Sequence, residues 1–491
     1  MGDQVTAAGF TREERRRYRE KVKRCLEVFA EMLAGHQFDP ERRAVGLEIE
    51  LNLTDEPGDP AMVNAQALEL IANADFQTEI GQFNLEINIP PHRLGADVFA
   101  QLEREVRASL NDAEDRAGKI GAHMMLIGIL PTLTERHVNE NTFSASQRYA
   151  LLNEQIFAAR GEDLQIEIDG VERLCTYADT IAPEAACTSV QLHQLVHPDD
   201  FARHWNAAQA VAGVQLAVGA NAPFFFGREL WRETRIALFE QATDTRPEEL
   251  KAQGVRPRVW FGERWITSIF DLFEENVRYF PALLPVCDVE DPVDVLARGD
   301  TPHLEELRLH NGTIYRWNRP VYDVVGGSPH VRVENRVLPA GPTVADILAN
   351  AAFYYGLVRT LADEERPIWS QMSFSAAEEN FHAGARDGID ARVYWPGVGD
   401  VPAAELVLRR LLPLAYEGLD RWGIDPTDRD RLLGIIERRC VELRNGATWQ
   451  AQQFHTLRDS RGLESADALR EMTLRYRENM HSNVPVHEWP A

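Results

Sequence analysis

The chain has 491 residues, of which 44% are hydrophobic and 26% are charged, so it holds enough apolar material for a sizeable core. Its formal net charge is −25, from 77 acidic and 52 basic residues. A surface this acidic repels a phosphate backbone, so we expect no nucleic-acid partner. The sequence contains no apolar run of about 18 residues, so we also expect no membrane span.

The five cysteines are scattered and form no Cys-x-x-Cys pair. This pattern argues against a disulfide framework or a zinc site and is typical of a reducing compartment. The N-terminal segment has no apolar stretch of the kind that a secretory signal needs. We therefore expect a cytoplasmic protein.

The first 380 residues predict strands and helices in mixed order. Residues 11–35 have apolar side chains at helical spacing, which predicts an amphipathic helix. Residues 44–53 alternate apolar and acidic side chains, which predicts a strand with one carboxylate face. The later patterns predict, in chain order, a strand at 83–89 ended by Pro90, a helix at 97–118, strands at 123–130 and 187–196, helices at 199–218 and 228–243, a strand at 330–338 and a helix at 343–363.

Only helical patterns follow residue 402. The Gly- and Pro-rich segment 384–401 before them suggests a linker. We therefore predict an α+β catalytic domain over residues 1–380 and a helical C-terminal region over residues 400–491. The helices of that region are expected at 402–421, 427–443, 447–458 and 464–480.

The polar faces of four alternating strands, together with the segment before one of them, carry groups that can bind metal ions or anions. A Glu-x-Glu pair is usually the solvated face of a strand, and an isolated histidine is more often structural than a ligand. The co-occurrence of such groups on several strands is what favours a shared site. They are Glu48 and Glu50, then Glu79 and Glu86, then Gln191 and His193, and finally Glu334 and Arg336.

This set of residues suits phosphoryl transfer. Mg²⁺ prefers carboxylate oxygens, and a single imidazole in the set would also tolerate Mn²⁺. Divalent cations bridge and neutralise a triphosphate, and arginines then hold the phosphate or a substrate carboxylate. The chain has no GxxxxGK[ST] loop and no GxGxxG after a strand, so ATP would bind through metal ions and the sheet. The candidate arginines are Arg235, Arg316, Arg319 and Arg336.

Six segments in a fixed order resemble motifs of the glutamate–cysteine ligase family. No single segment is specific, but the order and the approximate separations match the family over roughly residues 44–360. The segments are 45–50 (VGLEIE), 79–86 (EIGQFNLE) followed by Pro90, 188–193 (TSVQLH), 220–227 (ANAPFFFG) followed by Arg235, 319–320 (RP) and 333–336 (VENR).

The resemblance implies a glutamine-synthetase-like fold, in which a curved, mainly antiparallel sheet forms a funnel that holds metal ions and ATP. It implies a catalytic role for Arg235 and Arg336, and contacts to nucleotide or substrate for Arg319. We add Arg316 and Gln191 as cofactor-binding candidates. The implied metal ligands are Glu48, Glu50, Glu79, Glu86, His193 and Glu334.

The reaction that the resemblance implies is formation of γ-glutamyl phosphate from glutamate and ATP, followed by attack of the cysteine amine, as in glutathione biosynthesis. Two departures from the family motifs leave open the identity of both substrates, the amine and the acid. Ala222 replaces a serine of the family motif, and Gln-Leu-His replaces a His-x-His pair. The second departure also leaves open whether Gln191 or His193 contacts metal.

Two other functions fit the same residues. One is a metal-dependent kinase of a small carboxylate or guanidino substrate, and the other is a non-catalytic regulatory protein that retains the fold. For the ligase we expect only small-molecule partners, namely ATP, glutamate and an amino-acid amine. A homo-oligomer is compatible with the sequence.

Overall fold

A computed structural model of the chain describes residues 10–35, 37–38 and 43–490. Residues 1–9, part of the segment considered above for a secretory signal, lie outside these ranges. Within these ranges, no helix has both the length and the apolar character needed to cross a bilayer.

Seven strands form the main sheet, in the order β12–β13–β7–β1–β3–β2, with β4 also beside β1, and all neighbouring pairs are antiparallel. The remaining strands form two-stranded ribbons. The strands are β1 (Ala44–Thr54), β2 (Phe76–Thr78), β3 (Asn84–Arg93), β4 (His123–Met125), β5 (Leu164–Asp169), β6 (Arg173–Ala178), β7 (Val190–Leu195), β8 (Phe224–Phe225), β9 (Arg228–Glu229), β10 (Val259–Trp260), β11 (Tyr315–Arg316), β12 (Asn318–Val325), β13 (Ser328–Asn335), β14 (Arg392–Trp395) and β15 (Gly399–Pro402).

Helices cover the sheet and make up most of the C-terminal part of the chain. They are α1 (Arg12–Ala34), α2 (Asn64–Ile71), α3 (Val98–Ala117), α4 (Gln147–Arg160), α5 (Pro198–Gly219), α6 (Thr234–Ala242), α7 (Glu248–Ala252), α8 (Ile269–Tyr279), α9 (Pro292–Ala297), α10 (Glu305–Asn311), α11 (Val344–Asp363), α12 (Phe374–Asp387), α13 (Ala403–Leu406), α14 (Leu412–Trp422), α15 (Pro426–Glu442), α16 (Gly446–His455) and α17 (Ser465–Ser482). The expected α+β fold, with a curled antiparallel sheet and a helical C-terminus, is confirmed.

Three predicted boundaries differ from the structure by four or more residues. Strand β3 continues through Pro90 to Arg93, because the pairing of β1 with β3 is irregular there and the ladder does not require a proline N–H. The strand expected at 123–130 ends at Met125. The helix expected at 228–243 begins only at Thr234, since β8 and β9 form a hairpin whose turn has positive φ at Phe226 and Gly227.

Residues 384–401 are folded, so their interpretation as a linker was wrong. They contain the end of α12 and the paired strands β14 and β15. Pro396 and Gly397 form the turn of this hairpin, whereas Gly384 lies within α12. Asn380 hydrogen-bonds the backbone of Tyr394. The division into domains near this point stays a prediction.

Two long helices behind the sheet hold the strands that carry the predicted site residues. Helix α5 is buried over nearly its whole length, and so is α11. Trp205 of α5 donates a hydrogen bond to the backbone oxygen of Asn318 at 2.8 Å. Tyr355 of α11 donates one to the backbone oxygen of His193 at 3.1 Å. The helices therefore fix the backbone of β12 and β7 from the rear.

Helices α11 and α14 approach so closely that only glycine fits at their crossing. A Cβ added to Gly418 would lie 1.8 Å from the carbonyl oxygen of Gly356. The contact involves backbone on both sides, so no side chain can move to relieve it. This crossing joins the C-terminal helices to the layer behind the sheet.

We expect Gly418→Ala to lower the free energy of unfolding by about 3 kcal/mol or more, because the two helices must separate. The measurement is urea unfolding. Gly434→Ala in α15 is the matched control, because an added Cβ there meets nothing within 4 Å. The free energy of unfolding of this control should rise by about 0.5–1 kcal/mol, because alanine has a higher helix propensity than glycine. Equal effects of the two substitutions would contradict the assigned crossing.

Candidate active site

The register of the main sheet brings the predicted polar residues together. Glu50 of β1 lies opposite Glu86 of β3, and Glu48 lies opposite Gln191 of β7. In the same way, Glu334 of β13 lies between His193 of β7 and Arg319 of β12. Directly opposed residues project from the same face of a sheet, so all of these side chains share one face.

That face forms the wall of a cleft of about 230 Å³, which we call the acidic cleft. Nine of the eleven predicted site residues line it: Glu48, Glu50, Glu79, Glu86, Gln191, His193, Arg319, Glu334 and Arg336.

A second, smaller cavity of about 70 Å³ adjoins the acidic cleft, and we call it the inner chamber. Arg235 lines it, together with Phe239, Trp317 and Cys187. The guanidinium of Arg235 lies over the Trp317 ring at 5.8 Å, and its Nε donates to Glu233 at 3.0 Å. The two cavities share a wall formed by Glu50, Glu79, Ile80, Glu184 and Arg336.

Arg316 does not reach either cavity. It belongs to β11, which pairs with β10 outside the main sheet, and its guanidinium packs against the Trp260 ring at 4.8 Å. Its Nη2 lies 3.0 Å from a carboxylate oxygen of Glu275, and burial lowers its pKa to about 10. The structure thus separates Arg316 from the other predicted residues.

Glu334 is fully buried and is held by two arginines. Arg319 donates to its Oε2 at 2.6 and 2.9 Å, and Arg336 donates to its Oε1 at 3.0 Å. Burial alone would raise the pKa of Glu334, but the two guanidinium groups outweigh burial and hold the pKa at about 2. Glu334 therefore stays charged throughout the physiological range.

His193 lies between the carboxylate of Glu48 and the guanidinium of Arg332. Its Nδ1 accepts a hydrogen bond from Arg332 at 3.1 Å, and its Nε2 lies 3.1 Å from Oε1 of Glu48. The short distance to Glu48 is electrostatic contact rather than an aligned hydrogen bond, since Nε2 is buried without a hydrogen-bond partner. Burial would raise the pKa of Glu48, but His193 and Arg319 lower it further than burial raises it.

The other side of the cleft has an excess of negative charge. Burial, together with the charge of Glu86, raises the pKa of Glu50 to about 7. Burial and the charges of Glu86 and Glu50 raise the pKa of Glu79 well above its ordinary value. Glu50 is oriented by the backbone amide of Ser189 at 2.6 Å and by Gln191 at 2.9 Å. These carboxylates repel one another and would be stabilised by a cation.

The donor set fits a hard divalent cation, because it consists of carboxylates in mutual repulsion and a buried imidazole nitrogen without a hydrogen-bond partner. Among the described residues, no three acidic, cysteine or histidine groups already stand in a coordinating arrangement. Arginines and amides occupy several of the oxygens instead, for example Gln77 and Asn88 on Glu86 at 2.6 and 2.8 Å. Ion binding would therefore require these side chains to rearrange.

Several cleft residues were missed by the sequence reasoning. Arg308 and Arg332 both pair with Asp323 on the cleft wall. Glu184 lies on a short 3-10 turn, Ala182–Ala186, that leads into β7. The signal that could have found Glu184 is a single acidic residue inside the apolar run APEAAC, since an acid in a buried segment needs a reason to be there.

A family model for glutamate–cysteine ligase family 2 (GCS2) matches residues 44–452. The chain belongs to that family. It is accordingly an ATP-dependent carboxylate–amine ligase, and membership implies the use of ATP and a divalent metal ion. The resemblance inferred from six short segments is confirmed.

Solved structures of two ligases are similar to the GCS2 chain. The glutamate–cysteine ligase of Francisella tularensis in complex with AMP has a TM-score of 0.54 at 12% identity, covering 93% of this chain and 91% of that one. A bifunctional glutathione synthetase from Pasteurella multocida has a TM-score of 0.48 at 11% identity, covering 93% of this chain and 55% of that one. The similarity to the Francisella tularensis ligase establishes the fold alone. A comparison with curated protein sequences finds no match.

We expect Glu50→Gln to stabilise the metal-free ligase by about 3 kcal/mol at pH 8 and by only about 1 kcal/mol at pH 5. The raised pKa of Glu50 means that its contribution to stability is complete below the unfolded pKa, about 4.3, and is lost as pH rises through about 7. The side chain of glutamine cannot ionise, so the Glu50→Gln variant does not lose this stability as the pH rises. The measurement is thermal unfolding at both pH values.

The same variant should lose the stabilisation that Mg²⁺ gives the wild type, because ligand binding stabilises only where the site is intact. Glu69→Gln, the same chemical change at an exposed position of α2, should keep it. An undiminished Mg²⁺ response in Glu50→Gln would contradict the assignment of Glu50 as a ligand.

Proposed function

We propose that this ligase activates the γ-carboxylate of glutamate with ATP and joins it to the amine of an amino acid, with cysteine as the default amine. The observation that carries the proposal is the convergence of six acidic or imidazole groups and two arginines on one cleft in a GCS2 chain. The product would then be a γ-glutamyl dipeptide of the kind used in glutathione biosynthesis.

In this proposal the metal ligands are Glu48, Glu50, Glu79, Glu86, His193 and Glu334. Bound Mg²⁺, or Mn²⁺ in its place, would neutralise the triphosphate and orient its γ-phosphate. Glu50 and Glu86 stand on adjacent strands, so their carboxylates would share an ion with little backbone movement. Gln191 contributes by orienting Glu50 through its amide, whereas His193 offers the buried nitrogen.

The arginines would bind the anionic groups of the reaction. Arg336 lines both cavities and is anchored to Glu334, so it can reach the phosphate that passes from ATP to the acid. Arg319 holds the other oxygen of the same carboxylate and lines the acidic cleft but not the inner chamber, so it suits a nucleotide phosphate. Arg235 is held by Glu233 and suits a substrate carboxylate in the inner chamber.

We also propose that the ligase works in the cytoplasm. The five cysteines are all unpaired, and three of them are partly or fully exposed, which suits a reducing compartment. ATP and a thiol-bearing amino acid are both available there.

We expect purified protein to release ADP with Mg²⁺, ATP and glutamate only when an amino-acid amine is added, because the acyl phosphate stays sheltered until it is attacked. The measurement is coupled ADP release over a panel of amino acids, with mass spectrometry of the product. ADP release without any amine, together with a stable phosphorylated product, would favour the kinase alternative. No metal-dependent ADP release with any pair would refute the proposal.

We expect Arg336→Lys to lower kcat by about 10²–10³-fold with a folded protein, because lysine cannot replace the forked donors beside the transferred phosphate. Arg316→Lys is the matched control. It alters a buried arginine of the same region that lies outside both cavities, so it should lower thermal stability while leaving kcat within about threefold. Equal losses of kcat in both variants would contradict the assigned roles.

A further inference from the structure

Glu184 is an acidic residue of the site with no assigned role. Its 3-10 turn is otherwise buried and apolar, consisting of alanines and a proline. The side chain lines both the acidic cleft and the inner chamber, in the wall that also contains Glu50 and Arg336. The proposed function puts the phosphate at Arg336 and a substrate carboxylate at Arg235, and this wall lies between the two cavities that would hold them.

The side chain of Glu184 also has an oxygen without a partner. Other carboxylates of the cleft contact arginines, amides or a histidine, and Glu79 shares a hydrogen bond with Glu86. Oε2 of Glu184 is buried and accepts no hydrogen bond, and no ion pair joins Glu184 to any residue within 43–490. An unpaired carboxylate is costly to ionise in such a place, so a cationic group that enters this wall stabilises the charged form of Glu184.

We propose that Glu184 receives the ammonium group of the attacking amine substrate and accepts one of its protons before the carbon–nitrogen bond forms. This inference rests on the proposed ligase function and adds to it the group that makes the amine nucleophilic. An amino acid at neutral pH carries its amine mainly as ammonium, which has no lone pair with which to attack.

The protons balance as follows. The ammonium gives one proton to the Glu184 carboxylate, and the neutral amine attacks the carbonyl carbon of the acyl phosphate to form the C–N bond. The C–O bond to phosphate then breaks, and the leaving phosphate takes the second proton from nitrogen. The amide and inorganic phosphate depart, and Glu184 returns its proton to water.

The surroundings of Glu184 suit this transfer. Burial raises its pKa to about 8, against the opposing effect of Arg336 and with a small addition from Glu50. A peptide α-amino group has a pKa of about 8 and the amine of a free amino acid is more basic, so the raised pKa of Glu184 brings its basicity nearer to that of the amine. General acid–base catalysis by a group whose pKa lies near the working pH contributes about 10²–10⁴-fold.

The test compares two nucleophiles in Glu184→Gln. Hydroxylamine is a weaker base than an amino acid and is largely uncharged at neutral pH, so it needs no proton acceptor. With ATP, Mg²⁺ and glutamate, the variant should ligate cysteine about 10²–10⁴-fold more slowly than wild type, yet form γ-glutamyl hydroxamate within about threefold of the wild-type rate. Its remaining cysteine activity should rise steeply with pH as free amine accumulates.

Two further variants make the comparison specific. Glu184→Asp keeps a proton acceptor and should recover part of the cysteine rate with a pH profile nearer to wild type. Glu69→Gln should leave both rates unchanged, and the thermal unfolding of each variant shows whether it has folded.

Every other outcome would contradict the proposed role of Glu184 as the proton acceptor. Equal losses with both nucleophiles would place Glu184 in acyl phosphate formation or metal binding, and a raised KM for glutamate without a difference between nucleophiles would place it at the ammonium of the acid. Unchanged rates would also overturn the role. Wild-type protein that forms neither amide nor hydroxamate would overturn the proposed ligase function itself, which is a distinguishable result.

Discussion

The repulsion among carboxylates on one face of a single antiparallel sheet is the constraint on which the rest of this structure depends. Glu50 lies directly opposite Glu86 on the adjacent strand. Glu79 lies close enough to both for their charges to raise its pKa. Folding brings these charges together at a cost that burial increases. The fold offsets part of this cost with the arginines that hold Glu334, whereas Glu50, Glu79 and Glu86 stay close to one another.

The division of charge within the cleft follows from strand order. Glu334 stands on β13 next to β12, so Arg319 lies directly opposite and holds it ionised. Glu50 stands on β1 next to β3, which supplies another acid rather than a base. A cation that enters the cleft is therefore attracted to the side of β1 and β3, while anionic phosphate is attracted to the side of Arg319 and Arg336.

The sequence predicted four of the strands that carry this face, β1, β3, β7 and β13, because alternation with a period of two fixes both the strand and the side on which each residue lies. No strand was predicted around Arg316 and Arg319, so alternation was not available to separate them. The two arginines are three residues apart on consecutive short strands, and only the pairing of β11 with β10 turns Arg316 away from the cleft. Glu184 was missed for a related reason, since it lies on a turn where no periodic pattern reports its direction.

The predicted helical C-terminal region lacks any motif of the site, yet the structure connects it to the site through hydrogen bonds. Gln450 of α16 donates to the side chain and backbone oxygens of Asn221, and Asn221 in turn donates to the hydroxyl of Tyr476 of α17. The backbone amide of Asn221 holds one carboxylate oxygen of Glu233, whose other oxygen accepts from Arg235.

Each of these groups is buried, so each depends on the next for its hydrogen bonds. The orientation of Arg235 in the inner chamber thus depends on helices more than 200 residues away in sequence. This dependence gives the C-terminal helices a structural role in the site, although none of their residues lines the acidic cleft or the inner chamber.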